Sequence, residues 1–72
     1  MSASEQFQIS VNGETRAIVA GATIADLVAE LGLTGKRIAV ERNGEIVPRS
    51  RHDHTPLAGD DRLEIVVAVG GG

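Results

Sequence analysis

Apolar and polar positions alternate near the start of the chain, in the stretch FQISV. A period of two is typical of a β-strand that buries one face and leaves the other in solvent. The buried face of this strand would consist of Phe7, Ile9 and Val11. Asn12-Gly13 follows directly and can supply the two positive φ angles of a type I′ hairpin turn. We therefore predict a hairpin whose second strand returns through about Val19.

The apolar period changes to that of an α-helix after residue 22. Apolar residues recur at positions i, i+3, i+4 and i+7, namely Ile24, Leu27, Val28 and Leu31. Thr23 and Asp26 have the spacing of a capping box, which predicts that the helix begins at Ile24. Gly32 suits the left-handed conformation that commonly follows a helix. We therefore predict one amphipathic helix that covers one face of a sheet.

A second hairpin is predicted in the stretch IAVERNGEIVPRS. Ile38 and Val40 share a face, and Asn43-Gly44 repeats the turn signal. Pro48 ends the return strand or marks it as an edge strand, because proline has no N–H to donate to a β-ladder.

Residues 51–62, RHDHTPLAGDDR, are rich in turn-forming types and are predicted to form a loop that Leu57 anchors in the core. The last strand is LEIVVAV, one face of which consists of Leu63, Ile65, Val67 and Val69. Val66 and Ala68 make the opposite face apolar as well. Apolar residues on both faces are typical of a central strand, often in parallel pairing. We therefore predict that this strand lies in the middle of the sheet, beside and parallel to the first.

This order of elements predicts an α+β fold of the β-grasp (ubiquitin-like) type. A mixed sheet of four to five strands would be covered by one main helix, which forms part of a right-handed crossover. Residues 1–72 would form a single domain, with residues 70–72 as a flexible tail beyond the central strand. Three extended residues reach at most about 10 Å, which suits insertion into the active site of a partner.

Composition narrows the range of functions. A chain of 72 residues buries roughly 60% of its unfolded surface and has little room for an enclosed active site. Phe7 is the only aromatic residue, so the chain has almost no side chains on which nucleic acid bases could stack. The net charge is −3 and the basic residues are scattered, which argues against nucleic acid or an anionic membrane as a partner.

The chain contains no cysteine, which excludes disulfides and thiolate metal sites. The N-terminal MSASEQ has no basic region or apolar core, so we expect no signal peptide. No stretch approaches the ~20 apolar residues of a membrane span. We therefore expect a cytoplasmic protein.

Three other groups of residues are candidates for a functional site. His52 and His54 could share a metal on a strand, but we expect them on the surface of a polar loop without a metal. Asp60-Asp61 resembles a pair of catalytic carboxylates, but adjacent turn residues point apart, which favours a structural role. The segment NGEIVPR, residues 43–49, is either a hairpin followed by an edge-strand proline or a surface for a partner.

The chain resembles the ThiS family, the sulfur carriers of thiamine thiazole biosynthesis. The resemblance runs from about Phe7 to Gly72 and is carried by TIADLVAELG, AVERNGEIVPRS and the terminal VAVGGG. A terminal Gly-Gly is shared with the molybdopterin synthase small subunit and with ubiquitin-like modifiers, whereas NGEIVPR is more particular to ThiS. A third glycine at Gly70 and the HDH sequence at residues 52–54 depart from the family pattern.

The resemblance implies a carrier that is a substrate of enzymes and not itself an enzyme. The carboxylate of Gly72 would be adenylated by a ThiF-type adenylyltransferase that uses ATP, and a sulfur donor enzyme would convert it to a thiocarboxylate. A ThiG-type thiazole synthase would then take the sulfur. Gly70 and Gly71 would form the part of the tail that partners bind, and the carrier itself would hold no cofactor.

Two alternatives remain open from the sequence. The chain could be a protein modifier joined through its terminal glycine to lysines of other proteins, although Lys36 is its own sole lysine. It could also be a β-grasp interaction module or enzyme subunit, and a sulfur carrier for molybdopterin or another pathway is the nearest variant.

Overall fold

The computed structural model describes residues 5–68. The elements in chain order are β1 (Gln6–Val11), β2 (Glu14–Val19), α1 (Ile24–Glu30), β3 (Ile38–Arg42), β4 (Glu45–Val47), a 3₁₀ helix (Arg49–His54) and β5 (Arg62–Val67). The two hairpins, the helix and the last strand are therefore confirmed. The predicted tail at residues 70–72 lies outside the described residues, as does Val69.

The five strands form one mixed sheet in the order β2-β1-β5-β3-β4. β5 pairs in parallel with β1 and antiparallel with β3. The sheet therefore confirms that the last strand is central and parallel to the first. With α1 against it, this sheet is the predicted β-grasp arrangement.

Both hairpins turn on an Asn-Gly pair in the left-handed region. Asn12 and Gly13 have φ of 52° and 85°, and Asn43 and Gly44 have 52° and 87°. Two successive positive φ angles are the requirement of a type I′ turn, whose twist matches that of the flanking strands. β4 ends at Val47, directly before the proline, and lies at the edge of the sheet.

The capping box of α1 is complete. The Thr23 hydroxyl accepts from the N–H of Asp26 at 3.2 Å, and the Asp26 carboxylate accepts from the N–H of Thr23 at 2.9 Å. Gly32 follows the helix with φ of 74°, as predicted. These local signals fix both ends of a helix of seven residues, which is too short to be stable without packing on the sheet.

The hydrophobic core lies between α1 and one face of the sheet, which we call the covered face. Every strand except β4 places at least one buried side chain there. The buried hydrophobic residues are Ile9, Ile18, Ile24, Leu27, Val28, Val40, Leu57, Leu63 and Ile65. Burying each of these side chains contributes about 1.5–3 kcal/mol, and Leu57 is anchored as the sequence predicts.

The second face of β5, although apolar, is not buried. Val66 is 64% exposed and Ala68 is also exposed, whereas Leu63 and Ile65 on the covered face are buried. The short α1 covers one face of the sheet, and no other element in residues 5–68 covers the second, which we call the open face. β5 is central because of its pairing with β1 and β3, not because both of its faces are packed.

The predicted loop at residues 51–62 begins within a 3₁₀ helix, where the N–H of Arg51 donates to the carbonyl of Pro48 at 2.8 Å. The expectation that His52 lies on the surface is also wrong, because this side chain is buried and its Nε2–H donates to the carbonyl of Val47 at 3.1 Å. Turn-forming residue types do not distinguish an open loop from a short 3₁₀ helix.

Candidate functional site at the end of the central strand

The sequence places the reactive group at Gly72 and the partner-binding tail at Gly70 and Gly71, and all three lie outside the described residues. The structure does describe the segment that leads to them. We call Ile65–Ala68 the β5 terminus. It is the part of the chain nearest to these glycines that the structure describes.

On one side, the β5 terminus is paired with β3 along its whole length. Ile65, Val66 and Val67 lie opposite Val40, Ala39 and Ile38 respectively. The N–H of Ala68 continues this ladder and donates to the carbonyl of Arg37 at 2.9 Å. The chain is therefore hydrogen-bonded to β3 as far as its last described residue.

On the other side, the pairing is carried by a side chain. β1 pairs with β5 at Ser10–Arg62 and Val11–Leu63 and then turns away. The side-chain carbonyl of Asn12 accepts from the N–H of Ile65 at 2.8 Å, and its amide donates to the carbonyl of Ile65 at 3.1 Å. The Asn12 amide thus occupies the place that a neighbouring peptide group would have.

The open face is apolar next to the β5 terminus. Val66 is 64% exposed and lies directly opposite the exposed Ala39, while Ile46 on β4 is 65% exposed. We call Ala39, Ile46 and Val66 the open-face patch. Large apolar side chains exposed together commonly mark a surface that another macromolecule covers.

Two acidic residues face each other beside this patch. Glu41 on β3 and Glu64 on β5 are direct cross-strand partners. Like charges placed directly opposite destabilise a sheet. Neither glutamate forms an ion pair within residues 5–68, and nor does Arg62 on the same face of β5. The open face therefore carries a charge arrangement that folding alone does not favour.

The other end of β5 is fixed by a buried carboxylate. Asp61 accepts hydrogen bonds from Nε of Arg42 at 2.9 Å, Nδ2 of Asn43 at 3.0 Å and the N–H of Ala58 at 2.8 Å. Burial by itself raises the pKa of Asp61, but these bonds and the charge of Arg42 together hold that pKa below the ordinary value of 3.8. Asp60 is exposed, so the two aspartates point apart as predicted and do not form a catalytic pair.

The two histidines do not form a common site. His52 is buried, while the side chain of His54 is 78% exposed and contacts Asp53 at 3.4 Å. Within residues 5–68, no three His, Cys, Asp or Glu side chains are grouped so that they could hold a metal ion. No helix in the same range is long and apolar enough to cross a membrane.

Sequence reasoning missed the contacts that hold β5 in place. It identified Asn12 and Asn43 as turn residues, but Asp or Gly would satisfy the turn equally well. An asparagine has both a donor and an acceptor, which neither alternative has, and this difference is the signal that could have indicated a second role. The role of Asp61 could not be deduced, because two of its three donors, Arg42 and Asn43, lie 19 and 18 positions away in the chain.

The chain matches known proteins along almost its whole length. A family model described as "ThiS family" matches residues 9–72. Thiazole synthases of Paramagnetospirillum magneticum and Magnetococcus marinus are 43% and 38% identical to it over 65 residues, or 90% of this chain. The chain spans only 20% of the length of these two relatives.

Two further matches concern smaller proteins. The sulfur carrier protein ThiS of Bacillus subtilis is 46% identical over 50 residues, which cover 69% of this chain and 76% of that protein. The crystal structure of a thiamine biosynthesis protein (ThiS) from Geobacter metallireducens matches with a TM-score of 0.77 and 26% identity, covering 92% of this chain and 100% of that one. Family model, sequence relatives and fold agree, and the chain belongs to the ThiS family.

Proposed function

We propose that this protein is a sulfur carrier for the synthesis of the thiamine thiazole, and that the C-terminal carboxylate of Gly72 carries the sulfur. The observation that most supports this proposal is that the ThiS family match extends through Gly72. The described fold is consistent with it, because β5, the strand that leads to these glycines, is the central strand of the sheet.

The chemistry begins with activation of a carboxylate, which is a poor electrophile. An oxygen of the Gly72 carboxylate attacks the α-phosphorus of ATP on a ThiF-type adenylyltransferase, and pyrophosphate leaves. The terminal sulfur of a persulfide on a donor enzyme then attacks the acyl carbon, and AMP leaves. A thiol cleaves the resulting acyl disulfide, which releases the thiocarboxylate and leaves a disulfide on the donor.

The carrier contributes position and access to these steps. It supplies no general acid or base and binds no cofactor of its own, since ATP is held by the adenylyltransferase. Glycine at Gly70, Gly71 and Gly72 lets the chain adopt conformations that other residues avoid and pass through a narrow channel. A side chain at Gly71 would obstruct that passage.

In this proposal more than one enzyme binds the same carrier. The two thiazole synthases that contain a segment similar to this chain support a ThiG-type thiazole synthase as the acceptor of the sulfur. Val66 and Ala39 of the open-face patch lie at the β5 terminus, with Ile46 on the same face, which supports contact of this patch with an enzyme that takes the tail. We therefore assign the open face as the surface on which partners dock, and the segment at residues 43–49 contributes Ile46 to it.

Intact-mass spectrometry tests the proposal. Protein produced together with an adenylyltransferase and a sulfur donor, but without the thiazole synthase that would remove the sulfur, should show one oxygen replaced by sulfur, located at Gly72 by fragmentation. Deleting Gly72 or replacing Gly71→Val should abolish this change and leave the thermal unfolding curve nearly as it was. Full modification of either variant would contradict the assignment, and a covalent conjugate with another protein would indicate a modifier instead.

A further inference from the structure

The turn asparagines of the two hairpins contact opposite ends of β5. Asn43 contacts the start of β5. Its side-chain carbonyl accepts from the N–H of Arg62 at 2.9 Å, and its side-chain amide donates to the carboxylate of Asp61. Asn12 contacts the β5 terminus through both backbone groups of Ile65. Because both asparagines have φ of 52° in the same type of turn, they differ mainly in which part of β5 they hold.

The contact made by Asn12 is the last one on its side of β5. The N–H of Asn12 donates to the carbonyl of Leu63 at 2.9 Å, and its side chain then binds Ile65. In a β-ladder the backbone groups of alternate residues face the same side, so those of Val67 point where those of Ile65 point. The chain of β1 has turned away there, and within residues 5–68 nothing beyond Asn12 bonds to this edge of β5.

A strand held along one edge can twist about that edge, whereas a strand held along both cannot. Pairing with β3 alone would leave the β5 terminus free to rotate about the Ile38–Val67 pair and the bond from Ala68 to Arg37. The bidentate contact of Asn12 with Ile65 removes this freedom three residues before the end of the described chain. The direction of the chain at Ala68, the last described residue, therefore depends on Asn12.

We propose that Asn12 is a positioning residue for the adenylation of Gly72, acting through Ile65 to aim the chain that enters the partner. This inference rests on the proposed function. Asn12 does not touch the reacting atoms, but a displacement of about 1 Å at a reacting group can lower a rate by roughly 10²-fold. A misdirected tail would therefore react slowly even on a carrier that docks normally.

The substitution Asn12→Gly tests the inference, with Asn43→Gly as a matched control. Glycine accepts a positive φ without strain, so each change removes one side chain and preserves the turn. A ThiF-type adenylyltransferase that accepts the wild-type carrier is supplied with MgATP, and pyrophosphate release is measured against carrier concentration. Asn12→Gly should lower kcat roughly tenfold, since the reacting group is misplaced.

Two further readouts separate positioning from simple destabilisation. KM for Asn12→Gly should stay within about twofold of wild type because the docking face is unaltered, and Asn43→Gly should keep kcat within about twofold even if it lowers the melting temperature. Amide hydrogen exchange should be faster at Ile65, whose N–H donates to Asn12, in Asn12→Gly and unchanged there in Asn43→Gly. Asn12→Asp, which keeps the acceptor for the N–H of Ile65, should have an intermediate kcat.

The inference is overturned if kcat is the same in Asn12→Gly and wild type, or if Asn43→Gly lowers it as much. It is also overturned if the loss of kcat merely follows the fraction of unfolded protein. A wild-type carrier that no such enzyme adenylates would contradict the proposed function instead. In that event the exchange experiment still decides the structural part, since unchanged protection of Ile65 in Asn12→Gly would show that Asn12 does not hold the strand.

Discussion

The covered and open faces of the same sheet follow different rules. On the covered side, apolar residues are buried, and the buried carboxylate of Asp61 has three hydrogen-bond donors. On the open side, Val66 is exposed, and Glu41 faces Glu64 with no cation paired to either within the described chain. The covered face is thus explained by folding, whereas the open face has features that folding does not require and that binding a partner would explain.

The largest expected effect is on the covered side, at Asp61. Asp61→Asn removes an ionised acceptor and brings an amide donor against Arg42 and the N–H of Ala58, so the free energy of unfolding at pH 7 should fall by about 2 kcal/mol. Asp60→Asn is the matched control, since this neighbour is exposed and asparagine tolerates its φ of 67°. The control should change stability by less than about 0.5 kcal/mol in urea denaturation.

The pH dependence of Asp61→Asn is a second readout of the same change. The folded state lowers the pKa of Asp61, so its stabilisation is complete above the ordinary carboxyl range and is lost as the pH falls through the lower, folded value. Wild type should therefore lose more stability than Asp61→Asn between about pH 5 and pH 2, while the control behaves as wild type. Parallel curves for wild type and Asp61→Asn would show that the carboxylate is not held as the structure indicates.

The contrast between the faces also explains what the sequence could and could not predict. Local signals determine the hairpins and the helix, because Asn12-Gly13, Asn43-Gly44 and the Thr23 capping box act within a few residues. The presence of apolar residues on both faces of β5 correctly indicated a central strand. It could not show that Val66 is exposed, because a valine that packs in the core and a valine that contacts a partner look the same in a sequence.

The site was predictable only as a position in the chain. The sequence indicated Gly72 from its resemblance to a family, whereas the fixing of β5 by Asn12 and Asp61 depends on contacts between residues 53 and 19 positions apart respectively. The buried His52 is a similar case, since its burial follows from the packing of the 3₁₀ helix against α1. Contacts of this kind leave no periodic pattern in a sequence.

A smaller effect of opposite sign is expected on the open face. Glu64→Gln removes the repulsion from Glu41 and keeps the shape of the side chain, so the free energy of unfolding should rise by about 0.5 kcal/mol at low salt. The difference from wild type should shrink as salt screens the charges of the wild-type pair. A loss of stability in Glu64→Gln would instead indicate that Glu64 is held by a favourable contact and would remove one of the differences between the faces.

The smallest effect on stability should come from Val66→Thr, although this change should weaken the binding of a partner. Threonine has nearly the shape of valine and is suited to strands, so this exposed change should alter the free energy of unfolding by less than about 0.5 kcal/mol. The matched control is Val19→Thr, because Val19 is also exposed on the open face but far from Val66. Val19 lies opposite Gln6, two strands away from β5. The distance along the strand direction from Val66 is about eight residues, or ~26 Å.

If partners dock beside the β5 terminus, Val66→Thr should raise KM in adenylation about fivefold, corresponding to about 1 kcal/mol, and leave kcat unchanged. Val19→Thr should leave both constants unchanged. Equal KM values for the two variants would show that the open-face patch is not where the adenylyltransferase binds, and the exposed apolar residues of β5 would then need another explanation.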